Sequence, residues 1–272
     1  ARWSGIGLLM KWHLIAGEDG CRFAVENKCV AIVVDALRAS ATAAYMLDAG
    51  AIEILAVREV DEAHALKRDC PDALLAGERG GLPLDGFDLG NSPREAAIAR
   101  GKRVIFTTTT GAGRLVQAWG AHAVYMGSPV NAAAVAQAAL AHQRDIVLVP
   151  AGLVRDPAYN AQEDWAGAAA IAMAGEQIAG ALDFGEGGHK YTYWHDRILC
   201  DGVAALFESA PHAQALRDVG MADDIPFCAQ LDTVNAVPMA IGTLGIAVRV
   251  INASKRQGFS SPKEHGRPAR DS

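Results

Sequence analysis

Asp35 and Arg38 stand in the stretch IVVDALRAS, directly after a run of β-branched apolar residues. A carboxylate that ends a continuous apolar strand is costly to half-bury without a cation or hydrogen-bond donors beside it. Asp35 is therefore read as a site residue. The alternative is a turn or helix-capping aspartate, with Arg38 as its solvated partner. Glu163 and Asp164 form an adjacent acid pair at the expected start of a helix. Acids there complement the helix dipole, by about half a kcal/mol at an exposed site. Set across a crevice from Asp35, the same oxygens would hold Mg²⁺ together with phosphate oxygens. In TTTTGAG, Thr107, Thr108, Thr109 and Thr110 close a strand and Gly111 opens a helix. Backbone N–H groups at a helix start, with hydroxyls beside them, make an anion site. Thr also favours strands and caps helices, which is the other reading. No Gly-Lys-Ser/Thr follows, so the loop is not a P-loop.

The loop from Gly77 to Pro93, GERGGLPLDGFDLGNSP, carries five glycines and two prolines. It exceeds the usual connection of roughly 4–6 residues and reads as a lid or binding loop, with a plain surface excursion as the alternative. Its candidates are Glu78, Arg79, Asn91 and Ser92, while Asp85 and Asp88 read as turn formers. His64 reads as a surface residue and His122 as structural. His189, His195 and His212 lack metal-ligand spacing. No Gly-x-Ser-x-Gly elbow or Cys–His pairing occurs, which disfavours acyl transfer.

These residues need a scaffold, and the sequence supplies one. Apolar runs alternate with Ala-rich segments: CVAIVV then ASATAAYMLDAG, IEILAV then VDEAHALKRD, and ALLA, a loop, then PREAAIAR. RVIF then GAGRLVQAWG, AVYMG then NAAAVAQAALAH, and DIVLVPAG then EDWAGAAAIAMAGEQIAG follow. Unbroken apolar strands alternating with helices predict an α/β fold, its largely parallel sheet covered on both faces. In such sheets ligands sit outside the carboxyl ends of the strands. Five strand ends then deliver polar groups to one edge: Asp35, Arg38 and Ser40; Glu78 and Arg79; Thr107 to Gly111; Ser128 and Asn131; and Arg155 with Glu163 and Asp164. Asp61 or Glu62, Pro93 and Asn131 mark helix starts. After about residue 185 the pattern weakens; RILCDGVAALFESA reads as a helix and GIAVRVI as a last strand. Residues 1–254 are taken as one domain, or as two lobes with the second from about 160. Residues 255–272 read as a polar tail.

Of 272 residues 51% are hydrophobic and 21% charged, a globular balance, and the net charge of −6 with no long basic run before the last segment argues against nucleic acid. The five cysteines are odd in number and form no Cys-x-x-Cys, so a reducing cytoplasm is expected rather than zinc or a disulfide framework. GIGLLM before Lys11 is too short for a signal peptide. The longest uncharged run, Thr233 to Val248, contains Asn235 and Pro238 and falls short of the ~20 apolar residues of a membrane span. A soluble cytoplasmic protein is expected. A homodimer is compatible with the sequence, which does not fix the oligomeric state.

VVDALRASAT, GERGG, GFDLGNSP, TTTTGAG, NAAAVA, EDWAGA and DDIPFCAQLD, in this order from about residue 30 to 232, resemble the 2-phosphosulfolactate phosphatase family. GERGG and GFDLGNSP together are the most specific. The resemblance implies a three-layer α/β/α fold and Mg²⁺-dependent removal of phosphate from 2-phosphosulfolactate, a step of coenzyme M synthesis in organisms that make it. The family's threonine loop usually resembles Thr-Thr-Thr-Asn-Gly-Thr. Here Thr110 stands where Asn is expected and Ala112 replaces the last Thr, so one amide and one hydroxyl are lost.

On this reading Asp35 is a Mg²⁺ ligand, or a nucleophile that forms a phosphoryl-aspartate; attack by metal-activated water is the alternative. Glu163, Asp164 and Glu78 are further metal candidates. Arg38 and Arg79 contact phosphate or the substrate's other anionic groups. Asn91, Ser92, Thr107, Thr108, Thr109, Thr110, Gly111 and Ser128 bind substrate or orient its loops. Two rivals stand beside this: a phosphatase for a related 2-phospho-hydroxy acid, and a sensor that binds such an acid without hydrolysing it.

Overall fold

The computed structural model describes residues 10–153, 156 and 159–255. Residues 256–272 of the expected tail, and Arg155, lie outside the described residues. The chain opens with β1 (Lys11–Leu14), α1 (Gly17–Glu26), β2 (Val30–Val34), α2 (Ala39–Asp48), β3 (Glu53–Ala56) and α3 (Val60–Asp69). β4 (Leu74–Arg79), β5 (Leu82–Pro83), β6 (Arg103–Thr107), α4 (Gly111–Ala118), β7 (Ala123–Met126), α5 (Ala132–Leu140) and β8 (Ile146–Pro150) follow. Then come α6 (Gln162–Ala179), β9 (Asp183–Phe184), α7 (Gly188–Asp201), α8 (Val203–Glu208), α9 (Pro211–Asp218), α10 (Asp224–Cys228), β10 (Pro238–Leu244) and β11 (Ala247–Asn252).

All eleven strands join one sheet in the order β5-β4-β6-β3-β11-β10-β7-β2-β8-β1-β9. Both of its faces are covered, as β2 illustrates. Val30, Ile32 and Val34 share a core with α5 and α6. Ala31 and Val33, one residue out of phase, share another with α1, α2 and α4. Successive strand residues point to opposite faces, so a strand buried on both sides must be apolar throughout. Small residues bring α6 close: a Cβ on Gly167 would stand 3.0 Å from Ala36 Cβ and 3.1 Å from Val34 Cγ1.

The sheet is mixed, and its arrangement differs from a single parallel array. β4, β6 and β3 form one parallel block, and β7, β2, β8, β1 and β9 another. Between them sits the antiparallel β10–β11 hairpin, antiparallel also to β7 and to β3. Three reversals leave the two blocks running in opposite senses. In a flat sheet their carboxyl ends would lie on opposite edges. Neighbouring strands, however, rotate by about 20–25° each. Over the five steps from β6 to β2, this amounts to roughly a right angle and swings the two sets of ends toward one another.

Local signals hold in part. α3 starts at a capping box in which Glu59 is the N-cap and Glu62 reaches back to it, rather than at Asp61 or Glu62. Pro93 opens its element, which is a 3₁₀ stretch (Pro93–Ala99). Asn131 precedes α5, but its side chain turns back to Ser128 and Asp232 accepts from Ala133 N–H instead, at 2.7 Å. The segment read as one helix from Arg197 to Ala210 breaks at Gly202 (φ 81°) into α7 and α8. No helix among the described residues is long and apolar enough to cross a membrane.

Candidate active site

At the end of β2 the chain turns through Asp35 to Ser40. Ser40 Oγ donates to Val33 O at 3.1 Å and accepts from Asp35 N–H at 3.1 Å, while Ser40 N–H donates to Asp35 O at 2.8 Å. This clasp aims the Asp35 carboxylate away from the sheet. Its Oδ1 accepts from Ala39 N–H at 3.2 Å. Beyond Oδ2 lies Gly111, the first residue of α4, where a Cβ would stand 2.6 Å from Oδ2. Only glycine fits there, and the helix start closes on the carboxylate from the other sheet block.

Asp35 lines a cavity of about 280 Å³, the scale of a small-molecule site. Glu78, Thr109 and Thr110 arrive from the β4 and β6 ends, Gly152, Tyr159, Glu163 and Asp164 from the β8 end and α6, and Arg38 and Asn91 complete the lower wall. His212, Ala215 and Leu216 of α9 form the roof. A Cβ on Gly81, at the tip of the β4–β5 turn, would stand 3.2 Å from Leu216 Cδ2, so roof and turn meet closely.

The four acids are not equivalent. Asp164 accepts Ala36 N–H at 2.8 Å on Oδ1 and Gly152 N–H at 3.0 Å on Oδ2, so it staples the β2 and β8 ends together. Glu78 accepts from Thr109 N–H (2.8 Å), Thr109 Oγ1 (3.1 Å) and Gly81 N–H (2.9 Å), tying the turn to the threonine loop. Glu163, like Asp35, has a single partner among the described residues. Its Oε1 meets His212 Nδ1 at 3.3 Å, and its Oε2 is buried with no hydrogen-bond partner among the described residues.

Burial raises the Asp35 pKa; His212 and the Ala39 N–H pull it down, and Glu78 and Glu163 push it up. Asp164 is held well above the usual carboxylate range by burial and by the charges of Glu163 and Asp35, against its two N–H donors. For His212 burial works against the imidazolium, but its bond to Glu163 and the charges of Glu163, Asp35 and Glu78 keep its pKa above the ordinary 6.5. Tyr159 is pushed up to about 12 by burial and by Glu163 and Asp164. Crowded, incompletely paired carboxylates call for a cation.

Among the described residues no group of three or more His, Cys, Asp and Glu side chains forms a ready metal cage. Mg²⁺ does not require one, since it is usually held by one or two carboxylates plus phosphate oxygens and water. The all-oxygen donor set and the orphaned Glu163 Oε2 fit such an ion. Asp35 and Glu163 are the residues best able to hold it, since Glu78 and Asp164 already accept hydrogen bonds on both oxygens.

On the other side of Gly81 from Glu78, a guanidinium is held by the protein at both of its Nη atoms. Arg38, whose peptide bond to Leu37 is cis, donates from Nη1 to Asp224 Oδ2 at 2.5 Å and from Nη2 to Gly81 O at 2.6 Å. Ser92 Oγ donates to Asp224 Oδ1 at 2.6 Å. Both side chains of the Arg38–Asp224 ion pair are 2% exposed.

Of the residues expected at the site, the cavity thus gathers Asp35, Arg38, Glu78, Asn91, Thr109, Thr110, Glu163 and Asp164. Others face elsewhere. Arg79 follows Glu78 in β4 and so points to the opposite face; it donates to Glu78 O, Arg58 O and Thr107 Oγ1. Thr107 Oγ1 donates to Arg58 O, and Thr108 Oγ1 accepts from Ala112 N–H. Ser92 serves Asp224, Ser128 caps the turn before α5 with Asn131, and Gly111 backs Asp35. His212, Tyr159 and Asp224 were not expected; only DDIPFCAQLD, which contains Asp224, carried a signal for any of them.

A model of the family described as 2-phosphosulpholactate phosphatase matches residues 19–242. The chain belongs to this family. Its similar relatives include the probable 2-phosphosulfolactate phosphatase of Carboxydothermus hydrogenoformans, 38% identical over 214 residues, which is 78% of this chain and 86% of the relative. The protein of the same name from Deinococcus radiodurans is 39% identical over 219 residues, 78% of this chain and 88% of the relative. That from Thermus thermophilus is 38% identical over 229 residues, 80% and 91%. The matched region of this phosphatase-family chain takes in every strand of the two sheet blocks except β1, and every residue that lines the cavity lies within it.

Proposed function

We propose that this chain is a Mg²⁺-dependent phosphatase that hydrolyses the phosphate monoester of 2-phosphosulfolactate to sulfolactate and phosphate. The observation that carries the reading is the enclosed carboxylate cluster with one buried, unpartnered oxygen, Glu163 Oε2, beside a fixed guanidinium. Family membership supplies the ester, and the shared name of the relatives supplies the substrate.

In the hydrolysis the bond from phosphorus to the ester oxygen breaks, and phosphorus gains an oxygen that comes finally from water. The leaving alkoxide takes up a proton, and negative charge grows on the phosphoryl oxygens and the leaving oxygen. Asp35 and Glu163 would hold Mg²⁺, which when bound would neutralise phosphoryl charge. Asp35 Oδ2 lies at the reacting centre, as ligand or as nucleophile. Thr110 offers a hydroxyl donor at the start of α4, while the Thr109 hydroxyl is taken by Glu78, and Asp164 and Glu78 hold the surrounding loops in register. The α9 roof keeps bulk water from the centre, which strengthens each electrostatic contact.

Purified protein incubated with 2-phosphosulfolactate and Mg²⁺ is expected to release phosphate, and excess EDTA to stop it. Faster release from phospholactate would move the substrate assignment to another 2-phospho acid. Binding with no release at any Mg²⁺ concentration would make the chain a sensor. Acid-quenched labelled phosphate on Asp35 would mark it as the nucleophile.

A further inference from the structure

The phosphatase reading leaves one buried network without a role: Arg38, Asp224, Ser92 and the Gly81 carbonyl. Its members come from four places, namely the β2–α2 junction, the β4–β5 turn, the end of the long loop and α10. Arg38 and Asp224 lie 186 positions apart in the chain. Breaking a buried ion pair is costly, but keeping one stabilises a fold little compared with apolar packing, so its place beside a cavity asks for a second reason.

The guanidinium is planar, with five N–H donors in a fixed fork. Bonds to Asp224 and Gly81 take one donor on each Nη, fix the plane of the fork and leave the others free. Arg38 itself lines the cavity. Asp224 cancels much of its charge, so Arg38 is poorly suited to neutralise a phosphoryl group at its most charged. It is well suited to orient a planar or tetrahedral acid group by directed hydrogen bonds. Next to Ser92 stands Asn91, 5% exposed, lining the cavity, with a buried Oδ1 that has no hydrogen-bond partner among the described residues. The two ends of an Asn amide exchange by a flip, so either a donor or an acceptor can face the cavity. The bond from Ser92 to Asp224 therefore fixes two cavity-facing groups at once, Arg38 through the ion pair and Asn91 through the chain.

We infer that Asp224 and Ser92 are positioning residues that set Arg38 and Asn91 as the receiver of the substrate's non-phosphoryl acid group, the carboxylate or sulfonate of a 2-hydroxy acid. This rests on the phosphatase reading for the identity of the ligand. Under it the cavity has two ends: an acidic end for metal and phosphoryl group, and an Arg38 end that selects what the phosphoryl group is attached to.

The two ends can be probed by two ligands. Binding of sulfolactate and of inorganic phosphate, each with Mg²⁺, is measured by calorimetry on the full chain and on Asp224→Asn and Ser92→Ala. Sulfolactate affinity should fall about tenfold in Asp224→Asn and about threefold in Ser92→Ala, as expected for lost hydrogen bonds to charged groups, with phosphate affinity changed less than about twofold. With the ester as substrate, KM should rise by the same factors while kcat stays within about threefold. Equal losses for both ligands would make the network merely structural and overturn the inference, as would unchanged sulfolactate binding. Should Asp224→Asn fail to fold, Ser92→Ala and Asp224→Glu decide by the same comparison. A wild-type protein that binds sulfolactate through Arg38 but releases no phosphate would sink the phosphatase reading and leave the positioning role standing.

Discussion

The two ends of the cavity are built on opposite principles. At the Arg38 end each charge has its protein partner, guanidinium with carboxylate and carbonyl, and carboxylate with hydroxyl, and what is left over is directional rather than charged, the spare guanidinium donors and Asn91 Oδ1. At the acidic end Asp35, Glu163 and Asp164 crowd together, two of them with raised pKa, and Glu163 Oε2 has no partner among the described residues. A protein that only had to be stable would not leave charge in that state. The charges of the Arg38 end are balanced within the fold, whereas those of the acidic end are balanced by what binds there.

Substitutions can break this contrast. Asp35→Asn keeps the acceptor for Ala39 N–H but removes one charge from the crowd. Turnover should fall by about 10³-fold or more, on the scale of losing a key electrostatic group, while Tm holds or rises. A parallel loss of Tm and activity would show that the acidic end is structural too. Arg38→Met reverses the pattern, because it leaves Asp224 buried and unpaired. Unfolding free energy in urea should drop by about 3–5 kcal/mol, and a neutral effect would remove Arg38 from the fold's requirements.

Mg²⁺ sharpens the contrast further. An ion that binds only the folded acidic end stabilises it by about 2.7 kcal/mol at one hundred times its Kd. Tm should rise with Mg²⁺ in the wild type and stay flat in Glu163→Gln; an equal rise in both would place the ion elsewhere. The smallest effect lies away from the cavity. Burial lowers the pKa of His13, His122 and His142 below the ordinary 6.5, with Arg144 acting in the same direction on the last two. These groups bind protons more readily unfolded than folded. Their stability contribution is full above about pH 6.5 and is lost as pH falls through the lowered values. Tm measured without Mg²⁺ should therefore decline less on acidification below about pH 6.5 in a His13→Gln, His122→Gln variant than in the wild type, since the acidic end titrates alike in both.

Much of this was legible in the residues, for a physical reason. β2, β6 and β8 are unbroken apolar runs, so their carboxyl ends could be read directly, and with them Asp35, Thr109, Thr110, Glu163 and Asp164. Arg79 misled because ALLA extends as a strand through Arg79; once Glu78 points into the cavity, its neighbour must point out. β10 was hidden because PMAIGTL has a proline, an exposed carboxyl end at Thr243 and Leu244, and a register shift between Ala240 and Gly242. Without it the two blocks read as one parallel array. His212 and Asp224 were missed for another reason. They sit on short helices of eight and five residues, and their partners Glu163 and Arg38 lie far away along the chain.

The β10–β11 hairpin comes after every other strand in chain order, yet it occupies the middle of the sheet. Helices α2 and α4 pack against strands of both blocks, but within the sheet the blocks meet through the hairpin, β11 on β3 and β10 on β7. The crevice therefore straddles a seam in the sheet rather than the edge of one continuous array: a change that shears β10 against β7, or β11 against β3, would reach the ligand without altering a single residue that lines the cavity.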